Sequence, residues 1–241
     1  MRLIDFSFNR PTENLAFDEV LLDGAENGKA GECLRFWESP MPFVVLGVSQ
    51  VCREEVWDKN CEEDHIRILR RASGGGCVLQ GPGCLNYALV MSHAARPELQ
   101  TIRGSYCYIL DRLCAAFKEE GVLLHHKGVS DLALSGKKVS GSAQKRRRRF
   151  ILHHGTFLYN VDFDAMERYL REPEDRPQYR GPRDHRGFVC ALHLSADRIR
   201  SIVAKAFEVP IKLSNPTSHE LEVVAELAHE KYANPDWIFR R

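Results

Sequence analysis

Two rhythms of apolar and polar residues run along the chain, one of period two and one near 3.6, and together they predict mixed strands and helices. The helical rhythm is clearest over residues 102–120, where Tyr106, Ile109, Leu110, Leu113 and Phe117 recur on one face and Gly121 stands at the expected cap. A second helix is expected after Pro11 and Thr12, with Leu15, Val20, Leu21 and Leu22 on a broad face and Gly24 and Gly28 at its end. Residues 52–60 read as a short helix. Two more helices are announced near the C-terminus by Ser195 and by the capping box Thr217-x-x-Glu220. Strand-like runs cover residues 2–8, 34–37 and 43–47, the last two joined by a turn at Pro40 and Pro42, then 66–69 and 84–90. Further runs at 123–124, 131–134, 138–140 and 150–160, with Ser135-Gly136 as a hairpin turn, are expected to build another β-sheet layer. The polar, Pro- and Arg-rich residues 171–186 read as a long loop, a kind of segment that is often functional.

At 241 residues the chain can form one large domain or two small ones around a real core. Hydrophobic residues make up 44% and charged residues 28%, and the formal net charge is only +1, so any attraction to a polyanion must be local. Eight cysteines contain no Cys-x-x-Cys pair, which argues against a zinc ribbon or dithiol motif and for reduced thiols. Cys107 and Cys114, on the strongest helical pattern, are expected in the core. The N-terminal Met1-Arg2-Leu3-Ile4-Asp5 has no apolar signal core, and no apolar run reaches membrane-spanning length. A cytoplasmic protein without a membrane partner is the expectation.

Three stretches carry candidate chemistry. In Arg70-Arg71-Ala72-Ser73-Gly74-Gly75-Gly76-Cys77-Val78 a strand runs into two arginines and three glycines. Consecutive ordered glycines point to positive φ or to close approach of a ligand, and the arginines beside them suggest an oxyanion; a β-turn with solvated arginines is the plainer alternative. The spacing matches neither the dinucleotide fingerprint nor the P-loop. In residues 131–144 the hairpin turn is followed by Lys137, Lys138 and small residues. Strict alternation puts Lys138, Ser140 and Ser142 on one face and Val139, Gly141 and Ala143 on the other. The third stretch is His153-His154-Gly155-Thr156. Neighbouring strand residues point to opposite faces, so the two histidines are poorly placed to share a metal, and no metal site is expected. The five consecutive cations at 145–149 read as a solvated loop between strands, with attraction of an acidic protein or a nucleotide as the functional option and no nucleic-acid partner expected.

Taken together, these stretches resemble the lipoate–protein ligase A family within the biotin and lipoate protein ligases. The residues that carry the resemblance are Arg70-Arg71-x-Ser73-Gly74-Gly75-Gly76-x-Val78, Leu85-Asn86-Tyr87, Asp131-Leu132, Gly136 through Ala143, and His153-His154-Gly155-Thr156 with Asn160. Asn14-Leu15-Ala16 with Glu19, and Trp37 with Val45-Leu46-Gly47 and Gln50, are similar to the family's opening. The resemblance implies an α+β fold with a central mixed β-sheet flanked by helices, the biotin/lipoate ligase catalytic fold related to class II aminoacyl-tRNA synthetases. It further implies one catalytic domain over residues 1–241, with 187–241 a helical extension packed on it and no separate accessory domain.

The same resemblance implies a two-step reaction: ATP with Mg²⁺ and lipoic acid give lipoyl-adenylate, and the lipoyl group then passes to a lysine of an acceptor domain. Such acceptors are the E2 component of 2-oxoacid dehydrogenases and the glycine-cleavage H protein; a separate accessory chain is a further candidate partner. Lys138 is implied as the catalytic cation. Arg71, Ser73, Gly74, Gly75, Gly76, Cys77, Val78, Leu79 and Asp131 would join it in holding ATP and the adenylate. Arg71, Gly75, Lys138, Ser140, Gly141, His154 and Gly155 would surround lipoate. The chain departs from the family pattern at Gln80-Gly81, where His-Asp is usual, and at Ser130, where Asn is usual. The main alternative is an ATP-independent lipoyl or octanoyl transferase that carries the acyl group on a cysteine. Related transferases place that thiol just before the segment matching Asp131 or just before the His-Gly motif, and neither place has a cysteine here, although Cys77 and Cys84 lie near the glycine loop. A silent relative that binds lipoyl domains, and a biotin ligase, are weaker readings.

Overall fold

A computed structural model describes residues 1–210 and 212–241. Among the described residues, ten strands form two sheets: β1 (Arg2–Asp5), β2 (Cys33–Trp37), β3 (Phe43–Leu46), β4 (Arg67–Arg70), β5 (Val78–Gln80), β6 (Cys84–Ser92), β7 (Leu124–Lys127), β8 (Asp131–Leu134), β9 (Lys137–Arg146) and β10 (Phe150–Leu158). The helices are α1 (Pro11–Glu26), α2 (Cys52–Glu55), α3 (Asp58–Glu63), α4 (Ile102–Glu119), α5 (Phe163–Tyr169), α6 (His185–Phe188), α7 (Ala196–Ala206), α8 (Ser218–Leu227) and α9 (Pro235–Ile238). Seven strands in the order β1-β2-β6-β10-β9-β8-β7 make the main sheet, which is mixed because β1 and β2 run parallel while its other pairs are antiparallel. The α+β class and the central mixed sheet are therefore as expected.

The division into layers differs from the sequence expectation. The strands after residue 123 complete the main sheet, and the second sheet is β4-β3-β5, which flanks the glycine loop. β2 and β3 do not pair across the Pro40/Pro42 turn; each enters a different sheet. The three-residue β5 carries too short a pattern to be read from sequence. Residues 52–60 are split, with α2 and α3 separated at Val56 and Trp57.

Alternation along β6 sorts the two cores. Leu85, Tyr87, Leu89 and Met91 face one side, where Ile109, Leu110, Leu113 and Phe117 of α4 and Ile199, Ile202 and Val203 of α7 pack against them. Ala88 and Val90 face the other, against Leu15, Ala16, Leu21 and Leu22 of α1 and Val224 of α8. Cys107 and Cys114 lie only half-buried on α4, with Cys114 packed against the edge of the core. Ser195 and the Thr217/Glu220 box cap α7 and α8 as their sequence signals predict.

The basic run 145–149 is not a free loop. Lys145 and Arg146 belong to β9, and the run lies along α1, whose Glu19, Asp23 and Glu26 fall on one helical face. Lys145 pairs with Glu19, Arg147 with Asp23 at 2.8 Å, and the Arg149 backbone N–H donates to Glu26 at 3.0 Å. Glu19 also accepts from Lys231 at 2.6 Å and from the Tyr232 hydroxyl at 2.7 Å, tying the C-terminal segment to the same helix. Burial pushes the Glu19 carboxyl up, but these donors outweigh it and bring the pKa down to about 2 from 4.5.

A depressed carboxylate pKa contributes stability that is present above the unfolded value and is lost as pH falls through the folded value. Glu19→Gln is expected to cost about 3 kcal/mol at neutral pH and to flatten the stability curve between the two pKa values. Thermal melts from pH 2 to 7 check this; a variant curve that falls as steeply as the native one would reject it.

Candidate functional site

The glycine loop connects β4 of the small sheet to β5 and lies over the main sheet. Arg71 at its entry is buried, and its guanidinium is spent on the loop itself: Nε and Nη2 donate to the Gly74 carbonyl at 3.1 and 2.5 Å, Nη2 to the Gly76 carbonyl at 2.8 Å, and Nε to Ser73 Oγ at 3.1 Å. Burial lowers its pKa to about 10. Arg71 thus shapes the loop through the loop's own carbonyls, while also lining the inner cavity where phosphate contact was expected of it. With the loop's carbonyls turned to Arg71, the backbone N–H groups of Gly74, Gly75, Gly76 and Cys77 have no protein acceptor among the described residues. Arg70 points elsewhere, donating to the carbonyls of Gly47, Gln50 and Ile238, each at 2.7 Å.

Glycine is required where the loop touches the β3 turn. A Cβ on Gly47 would sit 2.1 Å from the Gly75 carbonyl oxygen, and Gly75 itself has φ +87°. Ser73 Oγ lies 2.6 Å from His154 Nε2, and His154 Nδ1 lies 3.4 Å from Asp18. The other Asp18 oxygen accepts from Arg35 at 2.6 Å in a fully buried ion pair. Burial alone would raise the Asp18 pKa, but the Arg35 charge and His154 hold it down. Sequence reasoning found His154 but not Asp18 or Arg35; a buried Asp facing a strand Arg has no periodic signature. His153 takes the opposite face, as alternation predicts, and contacts the Tyr87 hydroxyl at 3.2 Å. Burial lowers its pKa to about 3, so it is neutral.

Lys138 sits where a β-bulge interrupts the ladder. Leu132 pairs with Ser140 but Ala133 with Lys138, so Val139 is the extra residue and the alternation resets. Lys138 therefore shares a face with Gly141 and Asp131, not with Ser140 and Ser142. Ser140 is turned into the α4 side, with a buried hydroxyl that has no partner among the described residues, and it is not among the residues that line the two cavities, although lipoate contact was expected of it. Lys138 Nζ lies 2.7 Å from Asp131 Oδ1. A Cβ on Gly141 would come within 2.7 Å of the lysine Nζ, so glycine there gives the ammonium its room. Gly155 serves the other face, where a Cβ would meet the Tyr87 ring at 2.7 Å.

Two adjoining cavities meet at Lys138. The inner one, about 130 Å³, is walled by Leu15, Trp37, Val45, His154, Ala143 and the loop from Gly75 to Val78. The outer one, about 380 Å³, continues past Cys77, Val78 and Leu79 to Val129, Met166, Leu170 and the segment 171–189. Of the expected site residues, Arg71, Gly75, Gly76, Cys77, Val78, Leu79, Asp131, Lys138, Gly141, His154 and Gly155 converge on these spaces. Ser73 and Gly74 stand behind the wall. At the departure from the family pattern, Gln80 donates to Thr156 at 2.8 Å and accepts from Asn86 at 2.9 Å, closing a small polar network on the inner wall. Cys77 lines both spaces, but burial pushes its thiol far up, with Arg71 opposing only in part; burial likewise pushes Cys84 up to about 12.

Residues 10–208 match the family described as "Lipoyl protein ligase A/B catalytic domain". The chain belongs to this family. The chain is 31% identical to an octanoyltransferase LipM of Carboxydothermus hydrogenoformans, over 99% of this chain and 98% of that protein. It is 27% identical to an octanoyltransferase LipM of Geobacillus kaustophilus, over 100% and 98%. Among solved structures it is similar to the bi-partite lipoate protein ligase of Thermoplasma acidophilum, with TM-score 0.84, 22% identity and coverage of 99% of this chain and 95% of that one. A lipoate-protein ligase A bound with ATP gives TM-score 0.84 and 22% identity over 99% and 98%. These structures share the fold of this lipoyl ligase family member, so the expected ligase catalytic fold holds.

Gly47→Ala is expected to drive the glycine loop off β3, costing about 1–3 kcal/mol of stability and lowering turnover at least about ten-fold. Turnover assays and denaturant melts of the variant check this; full activity would show that the Gly47–Gly75 contact is dispensable.

Proposed function

We propose that this protein is an acyltransferase that moves an octanoyl- or lipoyl-type group from a carrier-bound thioester to a lysine of a lipoyl-acceptor domain, without ATP. The observation that carries this reading is the full-length likeness to octanoyltransferases at 31% identity, above the 22% shared with the solved ligases. The site supports it. The apolar wall of Leu15, Trp37, Val45 and Ala143 suits an acyl chain, with Lys138 and the free loop N–H groups at the point where carbonyl charge would develop. The neutral acceptor amine attacks the thioester carbonyl, a C–N bond forms as the C–S bond breaks, and the amine proton leaves with the thiol. Lys138 stabilises the oxyanion of the tetrahedral intermediate. An acyl-enzyme on Cys77 has less support, because burial keeps that thiol protonated.

Two observations favour a second reading, ATP-dependent ligation of free lipoate. No cysteine stands just before Asp131 or just before the His-Gly motif, and the glycine-loop N–H groups that have no acceptor among the described residues also suit phosphate.

Incubation of an acceptor domain with octanoyl-carrier protein alone, or with free octanoate or lipoate plus ATP and Mg²⁺, separates the two by acceptor mass. Modification in the first arm is expected; modification only in the second, with pyrophosphate release, would establish the ligase instead. Lys138→Ala is expected to lower transfer by about 10²–10³-fold. Cys77→Ser is expected to stay within about three-fold of the native rate, given its protonated thiol; loss of transfer would restore a cysteine acyl-enzyme.

A further inference from the structure

The segment from Arg171 to Cys190, which sequence alone shows as a long loop, is fastened to the β8–β9 hairpin at three points. The Tyr179 hydroxyl donates to Asp131 Oδ2 at 2.8 Å, Arg183 Nη1 to the Gly136 carbonyl at 2.9 Å, and the Cys190 N–H to the Lys138 carbonyl at 2.9 Å. The Tyr179 ring is seated on Phe188 with centroids 5.1 Å apart, and the pocket wall continues through Pro177 and Arg180. Of the three attachments, only that of Tyr179 reaches the partner of the reactive cation. Asp131 is buried, with one oxygen on Lys138 and the other on Tyr179.

We propose that Tyr179 is a positioning residue for Lys138. It holds the Asp131 carboxylate by its second oxygen, so that Lys138 can leave Asp131 for the substrate oxyanion without stranding a buried, unpaired charge. Before substrate arrives, Lys138 is bound to Asp131. At the transition state it must turn to the new oxyanion, and Asp131 then keeps the Tyr179 hydrogen bond as its remaining donor. A carboxylate with no donor left would hold the ammonium back, because an unpaired buried charge is costly. A donor to a charged group restrains that penalty more than a neutral pair would. The inference rests on the proposed role of Lys138 as the cation that meets the oxyanion; the geometry it is argued from is independent of which acyl donor is used.

Tyr179→Phe keeps the ring on Phe188 and removes only the hydroxyl. The expected result is a kcat lower by about ten- to hundred-fold, with the KM for the acyl donor unchanged and the melting temperature close to native. Asp131→Asn removes the charge that Tyr179 shares, so adding Tyr179→Phe to it is expected to have no further effect on kcat. A merely structural tyrosine would give additive losses, or would raise KM, and either outcome overturns the proposal. A second readout needs no turnover: labelling of Lys138 by an amine-directed acylating reagent, followed by peptide mass spectrometry, is expected to slow in Tyr179→Phe. Unchanged labelling would overturn the proposal even if the native protein transferred no acyl group in any donor arm, a result that would count against the proposed function alone.

Discussion

The Arg35–Asp18 pair is the constraint on which the site depends. Both side chains are buried, and such a pair has to recover a desolvation cost of several kcal/mol per ion through near-ideal geometry and further hydrogen bonds. Those bonds are present: Arg35 also reaches the Asn14 carbonyl at 2.9 Å and its side-chain oxygen at 2.8 Å, while Asp18 turns its second oxygen to His154. The pair locks α1 onto β2 of the main sheet and, through His154 and Ser73, onto the glycine loop of the small sheet. One buried charge pair thus fixes the distance between the two sheets that wall the inner cavity.

Much of the architecture was legible in the sequence because it follows from apolar periodicity. The α4 stripe, the caps of α7 and α8 and the long β6 and β10 each announce themselves locally, and so does the opposition of His153 and His154. What was not legible depends on partners far away in the chain. The polar side of α1 looks solvated in sequence, yet Asp18 and Glu19 are buried because Arg35, Lys145, and the adjacent Lys231 and Tyr232 arrive from three other segments. The cations at 145–149 read as a solvated loop in sequence for the same reason: their anions sit more than a hundred residues earlier.

The candidate site shows a second limit, set by local geometry. Alternation correctly opposes His153 and His154 on an unbroken strand, but it misplaces Ser140 because one extra residue at Val139 resets the faces. A bulge leaves no mark in residue type here, since Val139 is an ordinary core valine. The same bulge turns Lys138 toward Asp131 and into the cavity, so the feature that defeated the pattern is the one that creates the site.

Which cation is available for chemistry is then decided by satisfaction, not by charge. Arg70, Arg71 and Arg35 each donate to several protein oxygens, so each is held by more than one hydrogen bond. They hold the frame and are poorly able to leave it. Lys138 is bound by a single carboxylate, has space over Gly141 and is partly open to both cavities. Its ammonium can exchange one oxygen for another at little structural cost, which a stabiliser of a transient oxyanion requires. The arginines that drew attention in the sequence build the cradle, and the lysine beside the bulge is the group free to act in it.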